Sequence, residues 1–394
     1  MLRRMETGSV DAPFDTARLD ALMGDADIDV LLASSPHNVR YLLGGYRFFF
    51  FHTFDAFGVS RYLPILVYLR GRPEDSLYVA QVMEGSAQKR GAFWTPYSAP
   101  ETWGSVDAMA IAVDHLKKTG VSLRRIGIES AFLPADAKDA LAAAFENAEI
   151  VDALRPLERL RAIKKPHELA LLRKVSEGVA DSLVAAFAQA RVGMTKHQWV
   201  SRVRQEQVQR EVEFNCCQIA FGPSLDRVPS DDVLRLGEIV SLDAVGVVEG
   251  YAGDLCRMGV AGGPDAELED LLAEVDEVQQ AARMAVRAGV SGGAVVAAGD
   301  AVVAASPHHG AMDFTVHGMG LILHEAPRLA RGRPIPYPAD DADLPLEAGM
   351  VLSIETAIRH PKRGFIKLED TIAVKPDGYE AFSDYGRAWN VIGE

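Results

Sequence analysis

The chain of 394 residues has only three cysteines, Cys216, Cys217 and Cys256. Their number is odd and no pair has CxxC spacing, which excludes a disulfide framework and points to reduced thiols in a cytoplasmic protein. No apolar run reaches membrane-spanning length. The first residues, Met1-Leu-Arg-Arg-Met-Glu-Thr-Gly8, carry arginines without the apolar stretch of a signal peptide. Positive charge is in deficit, with Lys and Arg at 41 against 55 Asp and Glu, a net charge of −14. A basic surface for nucleic acid is therefore not expected. Internal repeats and low-complexity tracts are absent too. What remains is an ordinary globular composition, 48% hydrophobic and 24% charged, on a chain too long for one core. Two domains are expected, 1–155 and 156–394.

In the first domain, strands interleave with helices. Helices are expected over 16–25, 36–43, 106–118 and 134–145, and strands over 29–33, 62–69, 76–80, 125–129 and 149–152. This alternation predicts an α/β layer domain. Phe48-Phe-Phe-Phe51 followed by His52 has two readings. One is a buried strand or core-facing loop; the other is an aromatic wall offered to a substrate pocket, with Phe51 and His52 as substrate-binding residues. Residues 154–166 turn charged and read as the inter-domain connection. Helices follow over 167–189 and 196–212, then over 267–287 and 294–304 with glycines between them, and strands fill most of the remainder. The second domain therefore reads as α+β, with helices flanking a largely antiparallel sheet.

The chemistry gathers in that second domain. Asp243 and Asp254 flank Glu249-Gly250, a dipeptide that reads as a hairpin turn. Folding there is expected to bring the two carboxylates roughly opposite each other, where they repel unless a cation lies between them. His317 in Val316-His-Gly-Met-Gly320, Glu355 in Val351-Leu-Ser-Ile-Glu355 and Glu369 in Ile366-Lys-Leu-Glu-Asp370 complete the set. Four carboxylates balance two divalent cations. Oxygen-rich ligation with one imidazole suits Mn, Co, Fe or Zn. Two such ions can bridge a water, acidify it, and clamp the oxyanion formed when it attacks a carbonyl.

The order Asp243, Asp254, His317, Glu355, Glu369, in Gly-Tyr-x-x-Asp, His-Gly-x-Gly and His-Glu-x-Pro contexts, resembles the metal-ligand pattern of the pita-bread metallopeptidase family. Leu160 to Arg173 is similar to the helix that opens the catalytic domain in the prolidase, aminopeptidase P and creatinase-like branch. The resemblance implies a pita-bread catalytic domain, hydrolysis of an Xaa-Pro dipeptide or another small amide, and a homodimer. It implies that His324 binds the substrate carbonyl without ligating metal, and that Glu355 handles the water's proton as well as ligating.

The sequence also departs from the pattern. Prolidase-like chains carry a substrate-contacting histidine in the loop before the first aspartate. Here that loop is Gly222-Pro-Ser-Leu-Asp-Arg-Val-Pro-Ser-Asp-Asp232, with Arg227, Asp231 and Asp232 available in place of the histidine. Lys367 stands where arginine is usual, and a lysine cannot make the bidentate fork. Arg227 and Lys367 are thus candidate substrate-binding residues. An intact metal set beside an altered substrate set leaves room for a non-peptide C–N substrate, as in ectoine hydrolases. A sulfonium-acid lyase and a metal-free binding module are further alternatives.

Overall fold

The computed structural model describes residues 3–4, 11–50, 59–330 and 339–393. It divides into two compact units, Met1–Leu160 and Arg161–Glu394, a few residues beyond the boundary expected at 155/156. Residues 154–166 are not an open connection, because Leu154–Ala162 is helical. Its apolar residues Leu157 and Leu160 are buried, and that burial sets the helix despite the charged composition.

The first unit is an α/β layer domain. Its strands are β1 (Arg3–Arg4), β2 (Val30–Ala33), β3 (Ile65–Leu69), β4 (Arg72–Gln81), β5 (Tyr97–Thr102), β6 (Arg125–Ile128) and β7 (Glu149–Asp152). They form one sheet in the order β1-β5-β4-β3-β2-β6-β7. Successive residues face opposite sides, so Leu31 packs with Leu19, Met23 and Tyr68 on one face, while Val30 and Leu32 pack with Val67 and Met109 on the other. Buried Glu129 accepts hydrogen bonds from Ser34 N (2.6 Å), Ser35 N (2.8 Å) and Asn38 Nδ2 (2.6 Å). It thereby fixes the start of the helix Pro36–Leu42. Phe48 is buried, with its ring tilted against Phe50 and edge-on to Tyr62. Phe51 and His52 lie outside the described residues.

The second unit is a nine-stranded sheet flanked by helices. Its main strands are β8 (Glu213–Phe221), β9 (Ile239–Val248), β10 (Tyr251–Ala261), β11 (Met312–Gly318), β12 (Glu325–Arg328), β13 (Val351–His360) and β14 (Gly364–Lys375). They run β12-β11-β13-β14-β10-β9-β8, with two short strands added at β14 and β10. Every pairing along this path is antiparallel.

The helix Pro166–Gln189 lies across β9 and β10, where Val175, Val179, Leu183 and Phe187 pack on Leu242, Ala244 and Leu255. The approach is close: a Cβ on Gly253 would meet Ser176 N at 3.1 Å. Glu168 closes the start of this helix by accepting from Lys165 N (2.8 Å) and from Tyr251 Oη (2.7 Å), beside the β9–β10 turn. The helix Ala266–Ala285 covers β13 and β14. From it, Gln279 Nε2 donates to Ile354 O (2.8 Å) and Leu368 O (2.6 Å), the carbonyls just before Glu355 and Glu369. Gly292-Gly293, expected as punctuation, instead opens the helix Gly292–Ala305 behind its N-cap Ser291.

Candidate metal centre

The β9–β10 turn is the two-residue loop Glu249-Gly250, with φ of 45° and 79°. Both values lie in the left-handed region, as a type I′ hairpin turn requires. That loop length fixes the register, and it corrects the expectation that the two aspartates lie opposite each other. Asp243 faces Cys256, and Asp254 faces Val245. The aspartates are diagonal neighbours on one face, which lets both aim at a cation without their carboxylates being forced into contact.

The register builds the rest of the site. Across the sheet, Gln218 opposes Asp243, Asp243 opposes Cys256, Cys256 opposes Glu369, Glu369 opposes Glu355, and Glu355 opposes Thr315. Opposed residues share a face, and so do residues two apart on one strand. Asp254 is two from Cys256, His317 two from Thr315, and Lys367 two from Glu369. One face therefore carries all five expected ligands and Lys367, while the helices cover the other.

Two ligand groups result, His317 with Glu355 and Glu369, and Asp243 with Asp254 and Glu369. Within each group the ligand atoms lie within 4.8 Å of one another, and Glu369 belongs to both. The side chain of Glu355 is 23% exposed, against 1% for Glu369 and 2% for His317, so Glu355 is the one that reaches outward. The donor set fits divalent cations. Asp254 Oδ1 is buried with no hydrogen-bond partner among the described residues. Burial, and then Glu369 and Asp243, push the Asp254 carboxyl well above the ordinary range. Such a group is stable as a carboxylate only beside a cation. Burial also works to raise Glu369, but Lys367 and His317 outweigh it and hold that carboxyl below its usual value.

Lys367 sits inside the cluster. Its Nζ is 2.7 Å from Asp243 Oδ2, 2.6 Å from Glu355 Oε2 and 2.7 Å from Glu369 Oε2. Arg227 donates to the same Asp243 Oδ2, and its guanidinium lies over the Phe365 ring, 4.4 Å from the centroid. Both expected substrate-binding cations thus meet the ligand carboxylates. His324 stacks on His317, so the histidine expected to contact substrate adjoins a candidate ligand. Cys216 lies near Asp254 and Asp243; burial and those carboxylates raise its thiol to about 11, and it is inert at neutral pH.

Several supports went unnoticed in the sequence. Glu325 is fully buried beside His324, and pairs with Arg161 Nη2 and Lys164 Nζ, both at 2.9 Å. Arg257, buried behind the ligand strands, donates to Glu369 O (3.0 Å) and Asp370 Oδ1 (2.7 Å). Gln279 was missed as well. For Glu325, Arg161, Lys164 and Arg257 the one signal in the sequence is charge in stretches that otherwise read as core or connection; neutral Gln279 has none.

Comparison with known proteins follows the same division. The model of Metallopeptidase family M24 matches residues 170–376, and that of the Creatinase/Prolidase N-terminal domain matches residues 16–163. An Xaa-Pro dipeptidase of Lactobacillus helveticus is 24% identical over 387 residues, covering 95% of this chain and 98% of its own length. A probable dipeptidase PepE of Mycobacterium tuberculosis is 32% identical over 231 residues, 56% of this chain and 58% of that one. Among solved structures, dipeptidase PepE from Mycobacterium ulcerans superposes with a TM-score of 0.79 at 24% identity, covering 96% of this chain and 97% of that chain. The Xaa-Pro dipeptidase from Bacillus anthracis gives 0.79 at 21% identity, covering 96% and 99%.

Proposed function

The chain belongs to metallopeptidase family M24, and we propose that it is a dinuclear-metal-dependent hydrolase of Xaa-Pro dipeptidase type. One observation carries this reading: five ligand side chains share one sheet face and form two groups joined at Glu369. Asp243, Asp254 and Glu369 would hold one ion, and His317, Glu355 and Glu369 the other, with Mn, Co, Fe or Zn suited to the donors. Bound divalent ions supply Lewis acidity towards a water and towards the amide carbonyl.

The protein's own groups do the rest. Glu355 faces outward and takes the proton of the attacking water, later passing it to the leaving nitrogen. Burial, and then His317 beside it, push His324 down to about 4. It is therefore a neutral imidazole at neutral pH, able to donate to the carbonyl oxygen as charge develops there. Buried Glu325, with Arg161 and Lys164, anchors the strand that follows His324. The unbridged thiols support a cytoplasmic location, and the homodimer is testable by sedimentation.

The test is hydrolysis of an Xaa-Pro dipeptide panel by protein stripped of metal and reloaded separately with Mn²⁺, Co²⁺ or Zn²⁺. Turnover restored by metal supports the dipeptidase reading. Metal uptake without dipeptide turnover would favour the second reading, a small non-peptide amide, for which the observation is the 222–232 loop, with Arg227 and no histidine.

A further inference from the structure

Glu369, which belongs to both ligand groups, sits where the sheet holds it least on one side. β10 and β14 pair at a single position, Cys256 with Glu369, whereas β13 pairs with β14 along its whole length. Side chains reach the backbone here where a longer ladder would otherwise run. Arg257 Nη1, from β10, donates to Glu369 O (3.0 Å). Gln279 Nε2 donates to Leu368 O (2.6 Å) and Ile354 O (2.8 Å), so it ties β14 to β13. The spacing of Glu369 from Asp254 on β10 and from Glu355 on β13 therefore rests on Arg257 and Gln279.

One residue fastens both of these side chains. Arg387, in the C-terminal segment, donates to Gln279 Oε1 (3.0 Å) and pairs with Asp370 Oδ2. Arg257 Nη2 donates to the other oxygen, Asp370 Oδ1 (2.7 Å). A further contact joins Arg387 to Asp276, on the same helix as Gln279. The C-terminal segment is itself fixed: Arg257 donates to Tyr385 O (2.7 Å) and Ser383 O (3.2 Å), and Asn390–Ile392 pairs with β10. Charge balance does not require this arrangement, because Arg257 already neutralises the buried Asp370. What Arg387 adds is a rigid planar fork that holds Gln279 and the Asp370–Arg257 pair in one geometry. Groups of this kind, one step behind the ligands, orient a metal site.

We propose that Arg387 is a positioning residue of the metal centre: through Gln279 and the Asp370–Arg257 pair it sets the placement of Glu369 on which joint binding of two divalent ions depends. The inference rests on the dinuclear reading above and is independent of which amide is cleaved. Mn²⁺ is titrated calorimetrically into the metal-stripped full chain, Arg387→Met, Arg387→Lys and a control, Arg283→Met, and EPR spectra are taken of each loaded protein. Arg283 is equally buried but pairs with Asp384 (2.6 Å), so its loss should lower the melting temperature and leave metal binding intact. The wild type is expected to take up two Mn²⁺ and to show the spectrum of an exchange-coupled pair. Arg387→Met should weaken the weaker binding step by roughly ten- to a hundredfold and give the spectrum of isolated ions. Arg387→Lys, which keeps a charge for Asp370 without the fork, should fall between the two. Both steps at wild-type strength with a coupled spectrum in the Arg387 variants overturn the proposal. So does an equal loss in Arg283→Met, which would make the effect one of general stability. If Arg387→Met does not fold, Arg387→Lys against the control decides. A wild type that binds fewer than two ions fails the dinuclear reading, and the proposal with it; variants that match a two-ion wild type fail the proposal alone.

Discussion

The imidazole of His324 stacks on that of His317, with ring centroids 3.8 Å apart and planes inclined by 17°. His317 belongs to one of the two candidate ligand groups and His324 to neither, so mutation can separate them. His324→Ala is expected to lower kcat by roughly a hundred- to a thousandfold, the usual cost of removing a donor to a developing oxyanion. Metal content should be unchanged. Because His324 titrates at about 4, its loss should leave the shape of the pH–rate profile intact above pH ~5. Steady-state kinetics across pH, with metal analysis of the same samples, checks both points.

Asp254 illustrates a site built against its own stability. The carboxyl is buried near Glu369 and Asp243, and burial and then their charges push it well above its ordinary range. Asp254→Asn keeps the shape and removes the repulsion. The metal-stripped variant should therefore melt a few degrees above the stripped wild type. Added Mn²⁺ should raise the wild-type melting temperature and leave that of the variant nearly unmoved, since metal stabilises only by binding the native state. Turnover should be lost. Thermal melts with and without metal, together with the dipeptide assay, read all three outcomes.

The candidate metal cluster was legible in the sequence because each of its residues lies in a short motif on a strand, and strand period decides its face. The two domains and most elements were legible for the same reason, strong local periodicity. Asp243 and Asp254 lie diagonal rather than opposite because a two-residue turn at Glu249-Gly250 pairs Val248 with Tyr251, and so Asp243 with Cys256. The surroundings were less legible. Gln279 reaches two carbonyls from a helix more than seventy positions away in sequence, and Arg161 and Lys164 are buried by Glu325, which follows them far along the chain. No local pattern encodes such partners. Lys367 could be singled out by its motif, but its seat among three carboxylates depends on three strands meeting.

Glu325 provides the pH test. Burial alone would raise its carboxyl, but Lys164 and Arg161 overcome that and hold it down at about 2, against 4.5 for the free group. The folded value is the lower one, so this group's contribution to stability is complete above pH 4.5 and is lost as pH falls through 4.5 towards about 2. The difference amounts to about 3 kcal/mol. Glu325→Gln should flatten the acid limb of the stability curve. At neutral pH it should destabilise by about 3–5 kcal/mol, since two buried cations lose their counter-charge. Denaturant unfolding at a series of pH values measures both.

Lys367 predicts the opposite balance from Asp254. Its ammonium contacts three ligand carboxylates at 2.6–2.7 Å, so in the metal-free protein it is the chief counter-charge of the cluster. A divalent cation brought to the same oxygens must compete with it. Lys367→Met keeps an unbranched side chain and removes the charge. The stripped variant should melt below the stripped wild type, because the carboxylates are left to repel one another. Its affinity for Mn²⁺ should rise, by roughly ten- to a hundredfold, as the competitor is gone. The melting temperature should then rise more on metal addition than it does in the wild type. Competition against a chelator of known affinity gives the first quantity and paired melts the second. Unchanged affinity would mean that the ammonium turns away from the carboxylates at no cost, and that Lys367 serves the metal-free fold alone.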